Sequence, residues 1–304
     1  VIDINVLKPD AENPNILVGC VGYEKRSIFH LASVAESTSI TLFDYQAEGV
    51  LSYNANIKAA KAKRARLHKT MQSLLDDVLE QATALGGAYV EVDITSLDRG
   101  KLAWILGNFF KNSERFRRVR LVYYPRTFVP PRYEFDVVNS FGPVVPELTG
   151  NVPLSRDELA VIVGAGYEFG RVVGALDTLE PGNVICFAPR GNDSRYDGAV
   201  LRANLDFAFL GKDGALIWYA LNDPFALYYN LRRIVEHEAA IGNVLILPLG
   251  PKLFAAISLL IAFALHPKVS VWRHSTASTD RPSSISDAVA SGERLAFEFN
   301  FRRA

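Results

Sequence analysis

Short apolar runs alternate with stretches of helical spacing along most of this chain. The first half opens with a strand at Ile16–Val21, a turn Gly22-Tyr23-Glu24-Lys25-Arg26-Ser27 and an apolar helix at 28–35. A second strand at 40–45 precedes one long helix over 54–85, basic in front and amphipathic behind, which Gly86-Gly87 stops. A third strand, 88–94, runs through Thr95-Ser96-Leu97-Asp98 into a helix at 101–110, and a fourth spans 119–124. The second half has the same order: strand 159–163, the turn Gly164 to Glu168, a helix to about Leu179 and strand 184–187. A polar loop at 190–198, a helix at 224–240, strand 243–247, an apolar helix at 253–265 and strand 269–273 follow. A last strand at 295–301 is expected to close an edge.

The two halves also resemble each other in letters. LVGCVGYE (17–24) sets against VIVGAGYE (161–168), and the same gap-free offset of 144 sets ITLF (40–43) against VICF (184–187). The expected fold is α/β, with two tandem Rossmann-like units related by internal duplication, mostly parallel sheets, and domains at 1–150 and 151–304. The strands VEVDI and VLILPL are apolar enough to be buried on both faces.

Composition bounds the function. In 304 residues, 33 Lys and Arg balance 33 Asp and Glu, so nucleic acid is not indicated by net charge. Cys20 and Cys186 lie inside apolar strands and read as buried free thiols, and the five histidines form no metal motif. The thirteen residues at 253–265 make a helix of about 20 Å, short of a hydrocarbon core of roughly 30 Å. The opening VIDINVLKPD lacks the pattern of a secretory signal. The expectation is a soluble, cytoplasmic protein with no membrane contact.

In open α/β sheets ligands bind at the carboxyl ends of the strands. Four turns are expected there. They carry Gly22, Tyr23, Glu24, Arg26 and Ser27; Asp93, Thr95, Ser96 and Arg99; Gly166, Tyr167, Glu168 and Arg171; and Gly250 and Lys252. Helix amino ends, glycine backbone and four cations suit a phosphate-bearing ligand. Each turn also has a structural reading. The glycines can make tight turns and the tyrosines can pack. Arg26 can pair with the nearby Glu24, Ser96 or Asp98 can cap a helix, and Gly250-Pro251-Lys252 can simply start one. Lys58, Lys61, Lys63, Arg64, Arg66 and Lys69 read as a basic helix segment, either a solvated face or a phosphate or partner contact.

The strand followed by Asp93-Ile94-Thr95 and Arg99, and the strand followed by Gly250-Pro251-Lys252 and an apolar helix, resemble the ligand-face loops of CARF and SAVED domains. That resemblance covers about a fifth of the chain; the first half has Ser96-Leu97-Asp98 where a Gly-Gly-Thr-Lys type of loop is usual in those families. It implies a nucleotide or oligonucleotide sensor subunit of a prokaryotic antiviral defence system, which signals to a protein partner or forms a homo-oligomer. No Walker A, GxSxG, HExxH or GxGxxG motif is present. The competing expectation is a nucleotide-processing enzyme, an NAD-consuming or nucleosidase-type glycosidic hydrolase with Glu24 or Glu168 as its carboxylate. A structural subunit with decayed sites is a third. Arg99 and Lys252 are expected to share one composite polar face with the two glycine turns.

Overall fold

The computed structural model describes residues 2–8, 11–130, 140–150, 158–166, 171–204, 215–275 and 287–303. It is an α/β protein with two mostly parallel mixed sheets in two compact units, Val1–Thr127 with Ser284–Ala304, and Phe128–Ser283. The first sheet holds β1 (Ile2–Leu7), β2 (Ile16–Val21), β3 (Ser39–Asp44), β4 (Arg66–His68), β5 (Ala88–Asp93), β6 (Phe116–Tyr123) and β13 (Leu295–Arg303), in the order β1-β13-β6-β5-β2-β3-β4. The second holds β7 (Ser140–Pro143), β8 (Leu159–Gly164), β9 (Asn183–Arg190), β10 (Ala215–Ala220), β11 (Asn243–Pro248) and β12 (Val269–Ser275), in the order β10-β9-β8-β11-β12-β7.

Among the described residues each sheet contains five parallel strands in the order third, second, first, fourth, fifth, with an antiparallel strand beside the fifth. That is the Rossmann-like winding. The registers agree as well. Ile16 pairs with Ser39 and with Val90, and Ala160 pairs with Asn183 and with Val244. Ile16 against Ala160 and Ser39 against Asn183 both keep the offset of 144 read from the sequence.

The α-helices are α1 (Tyr53–Ala62), α2 (Met71–Ala84), α3 (Arg99–Lys111), α4 (Arg171–Leu179), α5 (Arg195–Ala203), α6 (Pro224–Ile241) and α7 (Lys252–Ala264). Several differ from the sequence reading. The single long helix expected over 54–85 is α1 and α2 with β4 between them. Arg64 adopts φ 57, which ends α1, and the next residues pair with β3. The basic segment is therefore split over a helix, a turn and an edge strand. Charged side chains suit such an edge, and Arg66 and His68 both reach Asp77 of α2, at 2.6 and 2.9 Å. The loop expected at 190–198 ends in α5, whose Ala199, Val200 and Ala203 bury one helical face. The helix after β2 is a 3-10 helix, Lys25–Ser33. The last strand, β13, does not close the sheet: β1 lies outside it.

Other expectations hold. Gly86 and Gly87 have φ of 65 and 124, and Gly87 N–H donates to Ala82 O at 3.1 Å, closing α2 with a left-handed cap. In α7 every residue from Leu253 to Ala262 is buried, and among the described residues no helix is long and apolar enough to cross a membrane. Cys20 and Cys186 are buried thiols that form no disulfide. Burial pushes the Cys186 thiol up to about 12. Since the thiolate is the reactive species, native Cys186 should resist alkylation at a mildly basic pH and react once the chain is unfolded. The same shift removes stability at high pH. The unfolded thiol ionises above its ordinary value of 9.0 while the folded one stays neutral to about 12, so stability falls across that window. Thiol labelling and urea unfolding across that pH range check both statements.

Candidate functional site

In the first unit the order of strands reverses between β2 and β5, the position where open α/β sheets form a crevice. The turn after β2 is held by Asn56 of α1. Its Nδ2 lies 2.9 Å from both Gly22 O and Glu24 O and 3.1 Å from Ser27 Oγ. Gly22 N–H also donates to Ser27 Oγ at 3.3 Å. An added Cβ at Gly22 would meet nothing nearer than 3.7 Å, so space does not demand glycine there. Tyr23 packs on the cluster formed by Leu17, Val21, Leu31 and Tyr53.

Glu24 and Arg26 form a pair at 2.9 Å, with Arg26 buried. Burial alone would lower the Arg26 pKa, and Glu24 and Tyr123 outweigh it and raise it. Arg26 Nη1 further donates to Tyr124 O at 3.3 Å.

The backbone donors that open the 3-10 helix are all engaged. Lys25 N–H donates to Asp287 Oδ1 at 2.9 Å, Arg26 N–H to Ala288 O at 3.1 Å and Ser27 N–H to Glu24 O at 3.0 Å. The Asp287 carboxylate also accepts from Ser52 Oγ at 2.8 Å and lies 3.5 Å from Lys25 Nζ. Burial would raise its pKa, but these bonds lower it. This turn therefore holds an anion, supplied by the chain itself.

The turn after β5 lies beside it. Asp93 Oδ1 accepts from Thr95 N–H at 2.8 Å, and Thr95 Oγ1 accepts from Tyr124 N–H at 3.0 Å. Asp93 Oδ2 contacts His30 Nδ1 from the 3-10 helix, and both side chains are buried. His30 Nε2 has no hydrogen-bond partner among the described residues. Gly19 lies beneath the pair: an added Cβ would sit 3.6 Å from His30 Cε1 and 3.5 Å from Asp93 Cβ. Ser96 Oγ is also buried without a partner among the described residues. The cap of α3 is Asp98, whose Oδ1 accepts from Lys101 N–H at 2.8 Å. Arg99 is the first residue of α3 and is half-buried. The turns after β2, β5 and β6 thus meet around Tyr124 and the His30–Asp93 pair.

The second unit builds its edge differently. Gly250 N–H donates to Gly164 O at 2.7 Å, and an added Cβ at Gly250 would lie 2.2 Å from Ala165 O. Glycine there lets the turns after β8 and β11 pack backbone to backbone. Gly166 is buried, and its carbonyl accepts from Asn204 Nδ2 at 2.7 Å. Lys252 opens α7 and is half-buried, and Arg171 opens α4. Tyr167 and Glu168 lie outside the described residues.

Sequence reasoning missed His30, Asn56, Tyr124 and Asp287. The first two sit in helical stretches with no motif, and Asp287 is about 260 residues from the turn it fills. The alternation in AYVEVD was a usable signal. It puts Tyr89, Glu91 and Asp93 on one face of β5 and Val90 and Val92 on the other. The strand is buried on both faces as expected, but one of those faces is ionisable.

Among the described residues no group of three or more His, Cys, Asp or Glu could hold a metal ion. No family model matches the chain, and no curated protein matches it.

Proposed function

We propose that the carboxyl edge of the first sheet binds the phosphate of a nucleotide-type ligand, and that the protein acts as a sensor of that ligand. The observation that carries this reading is the anion already held at the turn after β2. Lys25 N–H, Lys25 Nζ and the Ser52 hydroxyl converge on the Asp287 carboxylate, at the first strand-to-helix turn of a Rossmann-like winding, where such folds place a phosphate. The ligand's phosphate takes the place of Asp287, and Arg99 at the start of α3 adds charge beside the switch point. The resemblance to CARF and SAVED loops supports the narrower reading, an oligonucleotide ligand within prokaryotic antiviral defence and signalling to a protein partner or a second copy.

Glu24 is bound to the buried Arg26, which argues for a turn-stabilising carboxylate rather than a hydrolytic one. Titration calorimetry with mono-, di- and cyclic nucleotides tests the proposal. Asp287→Ala removes the internal competitor and should tighten binding about tenfold, whereas Arg99→Ala should weaken it by about 1.5–3 kcal/mol. Lys252→Ala, on the second unit's own edge, reports whether that edge also contributes. Glu24→Gln should retain binding. Nucleotide breakdown that wild type performs and Glu24→Gln loses would favour the hydrolase.

A further inference from the structure

The chain crosses between the two units twice, leaving the first after Thr127 and returning to it ahead of Asp287. Within the first unit these two stretches lie side by side. Arg126 and Ala290 form an antiparallel bridge. Thr127 N–H donates to Val289 O at 3.0 Å, and Ser291 N–H donates to Pro125 O at 2.8 Å. So short a ribbon is at best marginally stable in water by itself. Its second strand is anchored at the turn after β2. Asp287 accepts there from Lys25 N–H and the Ser52 hydroxyl, and Ala288 O accepts from Arg26 N–H. Ala288 is 5% exposed, whereas Val289, one residue on, is 46% exposed. The strand is thus fixed at its first two residues and zipped to 125–127 from there.

A phosphate on the Lys25 and Arg26 N–H groups has to displace two acceptors. The Asp287 carboxylate can swing away about its own side-chain bonds. Ala288 O is a backbone atom and leaves only if its peptide moves. The next residue, Val289, holds Thr127 N–H. Thr127 is followed by Phe128, whose ring packs on Tyr196 with centroids 4.9 Å apart and lies 4.9 Å from the Arg195 guanidinium carbon. Tyr196 and Arg195 belong to α5, in the same unit as Phe128. We propose that residues 287–291 are an autoinhibitory clasp on the phosphate turn. A nucleotide phosphate that takes the Lys25 and Arg26 N–H groups peels them from 125–127, and the freed Thr127 passes the change along the chain to Phe128 and α5. This rests on the phosphate site proposed above and gives that site an output. By linkage, the ligand opens the clasp by as much as the closed clasp opposes the ligand.

Two arms on the full chain test it. The first needs no ligand. Asp287→Ala removes one anchor, and the amides of Thr127 and Ser291 should then exchange at least about tenfold faster than in wild type, while β2 and β5 stay protected. The second locks the clasp with the double variant Arg126→Cys, Ala290→Cys. The two bonds flanking this bridge make it a non-hydrogen-bonded pair, with Cα atoms about 4.5 Å apart, which is within the disulfide range of about 4.4–6.8 Å. Calorimetry with the tightest-binding nucleotide of the panel should show the oxidised form binding at least about tenfold more weakly than the same protein reduced with dithiothreitol. The reduced form is the reference, so the loss of the Arg126 side chain cancels. Equal affinity of the two forms would overturn the clasp, and so would unchanged exchange at Thr127 and Ser291 in Asp287→Ala. In both cases nucleotide binding that protects residues 22–27 would leave the phosphate site standing. A panel in which no nucleotide binds would overturn the site and the clasp together.

Discussion

Arg120→Ala should destabilise the first unit by about 3–5 kcal/mol, because it leaves Glu91 and Glu298 buried without their shared cation. Both carboxylates are under a tenth exposed, and the guanidinium is the group that bridges them. Burial by itself would lower the Arg120 pKa, and its bonds to Glu298 and Glu91 more than offset this. Tyr89 adds to the cluster, with its hydroxyl 3.3 Å from Glu298 Oε1 and the Arg118 and Arg120 guanidinium carbons 5.3 and 5.1 Å from its ring centre. The triple variant Glu91→Leu, Arg120→Met, Glu298→Leu removes the charges together and should recover most of the loss, since the second unit has uncharged residues, Leu245 and Ser270, at the positions equivalent to Glu91 and Arg120. Urea unfolding with amide exchange on β5 and β6 measures both. A single variant as stable as wild type would mean that these charges are solvated and not buried.

Gly250→Ala is expected to cost about 3 kcal/mol or more, at the upper end of what overpacking costs. The added Cβ would sit 2.2 Å from Ala165 O and 3.0 Å from Ala165 C. These are backbone atoms, so no rotamer change relieves the contact. The turn would have to separate from Gly164, breaking the 2.7 Å bond from Gly250 N–H. By contrast, Gly22→Ala should cost little, because its nearest contact is 3.7 Å. Thermal unfolding of the two variants side by side checks the contrast. Equal melting temperatures would show that the second unit's turns are not held together through Gly250.

The contrast between these glycines shows where the sequence was informative. Both come after a strand and two positions before a charged residue, so the letters alone assign them the same role. Only the distance to a neighbouring backbone separates a packing glycine from a replaceable one. The parallel strands were legible because their apolar runs are long and bounded by turns, and the offset of 144 survives in the strand registers. Among the described residues four strands escaped notice. β1 pairs with β13 from the far end of the chain, nearly 300 residues away, and β4 is three residues on an edge. β7 is four residues, none of them fully buried, and β10 lies at the outer edge of its sheet. The site was legible only as a set of turns. Arg26 was open to either a ligand or Glu24 as its partner, and the structure gives it Glu24. His30 and Asp287 enter through tertiary contacts that no local pattern announces.

Amide hydrogen exchange of the full chain with and without the tightest-binding nucleotide of the panel bears most directly on the proposed binding edge. Added protection should centre on residues 22–27 and 93–99, while the segment beginning at Asp287 loses protection as its carboxylate leaves the turn. Protection confined to other segments, or a panel in which no nucleotide binds wild type or Asp287→Ala, would contradict a phosphate site at that edge.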